Sequence, residues 1–206
     1  MKVEKFVTGI ISTNCYIVQN EETKEAVFID PAAFPKSMRN YIREERLDMK
    51  AILLTHGHFD HIMGIDAILE EYDIPVYVHE EEEELIKSPT LNLSNTYTNG
   101  YTFTKAKYIK DGQVLKYAGY DFQVIHTPGH TSGGVCYYVE SENTLFSGDT
   151  LFYTSVGRAD FATSSMSALV RSIREKLMVL PDETVVYPGH MSATTIEHER
   201  KHNPYI

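Results

Sequence analysis

The sequence predicts an α/β protein, a sandwich of αβ/βα layers with its functional site at one sheet edge, and three observations carry that prediction. Short apolar runs alternate with segments of helical periodicity, the pattern of sheets covered by helices. The runs fall into two β-rich halves, each with helical segments to cover it. Four of the runs lead into loops that begin with or contain a His or an Asp.

In the first half, Phe6 to Ile11, Cys15 to Gln19 and Ala26 to Ile29 are expected strands separated by turn residues, with Asp30 closing the third. Pro35 to Leu47 is an expected helix, with Pro35 near its first turn and Met38, Tyr41 and Ile42 on one side. Ala51 to Leu54 is an apolar run that leads to Gly57 and reads as a buried strand. Ile65 to Tyr72 follows as a helix and Pro75 to Val78 as a strand. In the second half, Tyr108-Ile109 and Gln113 to Leu115 flank the turn Asp111-Gly112, and Tyr120 to Ile125, Val135 to Val139 and Leu145-Phe146 are strands. Ser165 to Leu177 is a helix capped by Ser164 or Ser165, with Met166, Leu169, Val170, Ile173 and Leu177 on one stripe. Val185-Val186 is the last strand, and Thr194 to Lys201 a short terminal helix. Asn92 to Thr104 has no helical period and is rich in Thr, Asn and Tyr. It reads equally as a loop that overhangs the site and lends aromatics to substrate binding, or as a surface hairpin without a role.

A chain of 206 residues is expected to form one domain, spanning 1–206, and to bury a substantial core. Met1 to Ile10 has no apolar leader-like stretch, and no run approaches the ~18 apolar residues of a membrane span, so neither export nor a membrane is expected. Cys15 and Cys136 lie in apolar runs and read as buried thiols, which makes a cytoplasmic location the default. A formal charge of −10 without a Lys/Arg cluster argues against a nucleic-acid partner. Glu80 to Glu84 are five acids in a row, read as the solvated face of a helix in preference to an interaction patch. The oligomeric state is not legible.

The chemistry concentrates in His56-Gly57-His58-Phe59-Asp60-His61, where six residues carry four potential metal ligands directly after a buried strand. Residues i and i+2 of an extended chain share a face, so His56 and His58 can serve one centre while Asp60 and His61 point toward another. Imidazole and carboxylate suit Zn, Fe, Mn or Co. Further ligand-type residues follow other apolar runs: His130 in Thr127-Pro128-Gly129-His130-Thr131, Asp149 after Leu145-Phe146-Ser147-Gly148, and His190 after Val185-Val186-Tyr187-Pro188-Gly189. Seven such side chains are the inventory of a two-metal site.

With Gly157-Arg158-Ala159-Asp160-Phe161 added, this ordered set resembles the metallo-β-lactamase superfamily, specifically its short glyoxalase-II-like (hydroxyacylglutathione hydrolase-like) branch, over essentially the whole chain. The resemblance implies a four-layer αβ/βα sandwich, the metallo-β-lactamase fold. It implies that His56, His58 and His130 hold one divalent metal, that Asp60, His61 and His190 hold the other, and that Asp149 bridges them. Zinc is the expected metal, with iron or manganese as alternatives. Asp60 has a possible catalytic duty as proton acceptor or water orienter. Arg158 is a candidate for a substrate carboxylate, against an ion pair with Asp160. Asp30 is a candidate acceptor for a ligand histidine, against a plain Asp-Pro turn. Of the remaining histidines, His126 is expected in the core or at the surface, and His198 and His202 are expected to be solvated.

The implied function is that of a binuclear metal-dependent hydrolase. A metal-bridging hydroxide would cleave the thioester of a small S-acyl thiol conjugate, with no Ser or Cys nucleophile. The chain ends about sixteen residues after His190, so no separate C-terminal helical domain for glutathione is expected and the thiol stays open. The alternative is a mono-iron persulfide dioxygenase of the same superfamily, with His56, His130 and Asp149 on the iron. A metal-stabilised binding scaffold rests on the acidic run alone. A β-lactamase fits the Gly157 to Phe161 segment less well, and the acidic balance speaks against a nuclease.

Overall fold

The computed structural model describes residues 1–206. Two six-stranded sheets face each other. In the first, strands β1 (Lys2–Thr8), β2 (Thr13–Gln19), β3 (Glu25–Ile29), β4 (Asp48–Leu53), β5 (Val76–His79) and β6 (Lys107–Ile109) lie side by side in chain order. Here β1, β2 and β3 pair antiparallel, and β3 through β6 pair parallel. The second sheet contains β7 (Val114–Tyr117), β8 (Tyr120–His126), β9 (Val135–Val139), β10 (Thr144–Gly148), β13 (Val185–Pro188) and β14 (Thr194–Thr195), in the spatial order β14-β13-β10-β9-β8-β7. A small ribbon of β11 (Leu151–Phe152) and β12 (Ser155–Val156) follows β10.

Alternation of side chains across each strand generates the layers. From β2, Tyr16 and Val18 point between the sheets and meet Phe122, Tyr137 and Phe146 of the second sheet. Cys15 and Ile17 of the same strand point the other way. They pack with Met38 and Ile42 of α1 (Lys36–Glu45), with Ile62 of α2 (Phe59–Ile62), and with Ile65 and Ile68 of α3 (Ile65–Leu69). That outer layer also holds Ile86 of α4 (Glu83–Lys87). The second sheet does the same: Cys136, Tyr138, Leu145 and Val186 face Leu169 of α6 (Met166–Ser172), and with it Ile173 and Leu177. Both faces of both sheets are therefore covered, which is why β2, β9 and β10 are buried along their whole length. The result is the four-layer αβ/βα sandwich expected from the sequence.

The differences from expectation are local. The first strand ends at Thr8, because Gly9 (φ +75°) and Ser12 (φ +62°) turn the chain; Ile10 and Ile11 stand exposed in that turn. Helix α1 stops at Glu45, capped by Arg46 in the left-handed region. The Ser165–Leu177 segment begins as α6 (Met166–Ser172) with Ser165 Oγ accepting from Ala168 N at 3.3 Å, and continues as a wider π turn over Ile173–Leu177. The terminal helix α7 spans Ile196–His202. His202 is exposed, but His198 is half-buried and stacks on Tyr153 at 4.7 Å, so the solvated reading of His198 is corrected. In the acidic run Glu80, Glu81, Glu83 and Glu84 are exposed as expected, and the solvated reading is corrected at Glu82 alone. Glu80–Glu82 form a single 3-10 turn and Glu82 is completely buried, because the turn packs under the metal-ligand loops. No helix is long and apolar enough to cross a membrane.

Candidate metal centre

Strands β4, β8, β10 and β13 all run their C-terminal ends toward one edge of the sandwich, and each ends in a loop carrying site residues. His56, His58, Asp60 and His61 follow β4 in the first sheet. His130, Asp149 and His190 follow β8, β10 and β13 in the second. The seven side chains converge from both sheets. His56, His58 and His130 place one ligand atom each within 4.8 Å of one another, and so do Asp60, His61 and His190. Asp149 lies between these groups: Oδ1 is 3.5 Å from His61 Nε2, and Oδ2 is 3.6 Å from both His130 Nε2 and His190 Nε2.

The chain orients these rings from behind. Asp30 is buried at the end of β3, in the left-handed region at φ +50°. Its Oδ1 accepts from Thr55 N at 2.7 Å, and its Oδ2 accepts from Thr55 Oγ1 at 2.6 Å. Oδ2 also lies 2.9 Å from His61 Nδ1, so Asp30 takes the positioning role, not only that of a turn residue. With Nδ1 as donor, Nε2 of His61 is free to face the centre. His130 Nδ1 likewise donates to Arg158 O at 2.8 Å. Thr13 Oγ1 donates to Asp60 Oδ2 at 2.8 Å, and His190 Nε2 lies 3.1 Å from the same oxygen. Asn14 Nδ2 and Tyr16 Oη both donate to Pro188 O, at 2.9 and 2.6 Å, and so fasten the loop that carries His190. Close approach leaves no room at Gly189, where a Cβ would stand 2.3 Å from Asp149 Oδ1 and 2.7 Å from His61 Cε1.

Four buried polar atoms here have no hydrogen-bond partner: His56 Nε2, His58 Nε2, His61 Nε2 and Asp149 Oδ1. Orphaned polar atoms at this density cost several kcal/mol unless a cation satisfies them, so this donor set fits a metal site. The electrostatics agree. Burial, with the neighbouring imidazoles, holds His56 well below its ordinary value, and burial with His130 takes His58 down to about 3. Burial also lowers His130. These three rings are therefore neutral at neutral pH, as metal ligands must be. Burial alone would lower His61 and raise Asp60 and Asp149. Their mutual attraction wins, so His61 is raised, Asp60 is held well below the carboxylate range, and Asp149 is held at about 2.

Above the ligands lies a cavity of about 210 Å³. Ile11, Phe59, Leu93, Tyr97, Phe152 and Phe161 form its apolar walls, and His58, Asp60, His130, Asp149 and His190 its polar floor. Tyr97 comes from α5 (Ser94–Tyr97), inside the Thr/Asn/Tyr-rich segment, and stacks on Phe59 at 4.9 Å and 11°. That segment therefore overhangs the centre. Phe161 packs edge-on against His58 and His130. Arg158 lines the rim, largely exposed. It forms a bidentate pair with Asp160 (3.0 and 2.8 Å), and its guanidinium lies 4.6 Å from the centre of the Phe161 ring. His126 turns away and stacks on His79 at 4.2 Å. Thr13, Asn14, Tyr16 and Thr55 were not legible as functional residues, since nothing distinguishes them from other strand residues until the sheets are assembled.

Asp30→Asn is expected to weaken metal binding at the Asp60/His61/His190 group by roughly 10- to 100-fold, because the amide cannot accept from all three of its partners. Chelator-competition titration checks this; unchanged affinity would remove Asp30 from the positioning role.

The comparisons agree with this geometry. The family model described as the metallo-beta-lactamase superfamily matches residues 8–190. The crystal structure of the BLEG-1 B3 metallo-beta-lactamase superposes with a TM-score of 0.93 at 39% identity, covering 99% of each chain. That of TTHA1623 in a di-iron-bound form superposes with a TM-score of 0.86 at 35% identity, covering 99% of this chain and 100% of that one. Among curated proteins, the hydroxyacylglutathione hydrolase GloC of Haemophilus influenzae is 30% identical over 209 residues, covering 100% of this chain and 98% of its own length. Two facing sheets with their His- and Asp-bearing loops at one edge, the family match and these full-length relatives together place the chain in the metallo-β-lactamase superfamily.

Proposed function

We propose that this metallo-hydrolase holds two divalent metal ions, zinc in the first instance, and cleaves the thioester of a small S-acyl thiol conjugate. The observation that supports it most is the position of Asp149 between two separate ligand groups, in contact distance of both. His56, His58 and His130 would hold one ion and Asp60, His61 and His190 the other, with Asp149 shared. When bound, such ions lower the pKa of water and polarise a carbonyl. The chain's own residues do the rest. Phe59, Tyr97 and Phe161 exclude water and present an apolar wall to the acyl and thiol chains. Asp60, held well below the carboxylate range, serves as ligand and hydrogen-bond acceptor better than as a store for a proton. Arg158, still largely exposed beside Asp160, can meet a carboxylate of the substrate at the rim. The kinship with GloC supports a thioester substrate. The buried, unpaired thiols of Cys15 and Cys136 fit a reducing, cytoplasmic setting.

Elemental analysis of protein purified without added metal, followed by a hydrolase panel, tests the reading. Two metals per chain with cleavage of acyl-thiol conjugates is the expected result. A single iron with oxygen consumption on a persulfide would replace it by the dioxygenase reading; a relative in a di-iron form keeps iron in view. A chromogenic β-lactam belongs in the same panel because of the BLEG-1 kinship, and its cleavage without thioester cleavage would overturn the substrate class. Tyr97→Ala is expected to raise KM about 3- to 10-fold with little change in kcat, since Tyr97 offers the substrate an apolar wall and is not itself a ligand-type residue.

A further inference from the structure

The carboxylate of Glu82 is completely buried under the metal centre, and no cationic side chain pairs with it. Its neighbours Glu80 and Glu81 face Lys110 and His126, but Glu82 turns inward. Oε2 accepts from Gly57 N at 2.8 Å, and Oε1 accepts from Gly133 N at 2.8 Å. Gly57 is the residue between His56 and His58, and Gly133 lies three residues after His130. One carboxylate therefore ties the β4 loop of the first sheet to the β8–β9 loop of the second, with one bond to each. The contact is tight on both sides. A Cβ on Gly57 would meet Ile86 Cγ2 at 2.2 Å and Glu82 Oε2 at 3.1 Å, and one on Gly133 would meet Glu82 N at 2.6 Å. The two backbone N–H donors offset the cost of burying this carboxylate, an offset that would be lost with either bond.

We infer that Glu82 is a positioning residue: by bridging Gly57 N and Gly133 N it sets the placement of His56 and His58 relative to His130, and so the affinity of that metal group alone. The inference rests on the two-metal reading above. The Asp60/His61/His190 group has further supports of its own: Asp30 faces His61 Nδ1, Thr13 donates to Asp60, and Asn14 fastens the loop that carries His190.

The test uses Glu82→Gln, in which one acceptor oxygen becomes an NH₂ donor facing a backbone N–H. Cobalt(II) is titrated into metal-stripped protein against a chelator, and paramagnetically shifted imidazole proton resonances separate the three-histidine group from the two-histidine group. The expected result is a roughly 10- to 100-fold loss of affinity at the three-histidine group, with the other group within about twofold of wild type. Glu82→Asp, which keeps both oxygens on a shorter stem, is expected to fall between, and it carries the test if the Gln variant does not fold. Unchanged affinity, or equal loss at both groups in the variant that folds, overturns the inference. Wild-type protein that binds no second metal would instead overturn the two-metal reading.

Discussion

Asp149→Asn is expected to lower kcat/KM at least about a thousandfold and, if two ions bind as proposed, to reduce bound metal to one per chain or none. Asp149 is the carboxylate that reaches both ligand groups, His61 with one oxygen and His130 and His190 with the other. An amide offers one acceptor in place of two and removes the charge that the surrounding imidazoles hold in the ionised state. A thousandfold corresponds to ~4 kcal/mol of transition-state stabilisation, within what shared metal coordination supplies. The fold should survive, because Asp149 lies in a loop after β10 and the core beneath it is apolar. Metal content, kinetics and circular dichroism on one preparation decide the matter. Two metals retained with full activity would show that the groups do not share this residue.

Stripping the metals with a chelator is expected to lower the melting temperature by about 8–16 °C per ion lost. Occupancy at ~1,000 times Kd contributes ~4 kcal/mol, and a domain of this size shifts roughly 2–4 °C per kcal/mol. The pH dependence should also change sign. In the metal-free protein His61 and His190 are raised above 6.5, although burial alone would lower them, because Asp60 and Asp149 attract the charged ring, joined at His61 by Asp30. A raised histidine stabilises fully below its unfolded value and loses that contribution as pH rises through the folded one. The stripped protein should therefore melt at progressively lower temperature above pH 6.5. The loaded protein should not, because its histidines are already neutral and protons compete with metal only as pH falls. Melting curves of both forms from pH 6.5 upward check this; parallel curves would mean the ions do not occupy these histidines.

Apolar runs were enough to place the central strands, because a sheet covered on both faces must be apolar throughout, and Ala51 to Leu54 or Val135 to Val139 admit little else. The two-residue strands β11, β12 and β14 are too short to leave such a run, and β14 takes the first two residues of the expected terminal helix. Boundaries were less legible. Ile10 and Ile11 read as strand by composition, yet the left-handed backbone at Gly9 and Ser12 turns them out to the surface, where Ile11 lines the cavity. Glu82 was missed for a related reason: one acid among five identical neighbours carries no sign of burial until the turn after β5 is seen beneath two loops from different sheets.

The layered sandwich and the inventory of ligand-type residues were legible in the chain, since both follow from short-range pattern: apolar runs for the strands, and a His or Asp shortly after four of them. Packing of the two sheets is what brings that inventory together in the division that the resemblance had implied. His56, His58 and His130 form one group and Asp60, His61 and His190 another, with Asp149 between them, because strands distant in the chain end at the same edge. It also decided which ordinary residues serve the centre. Thr13, Asp30 and Glu82 act through hydrogen bonds spanning 47, 25 and 51 residues, and contacts of that range are set by sheet packing, which no local pattern records.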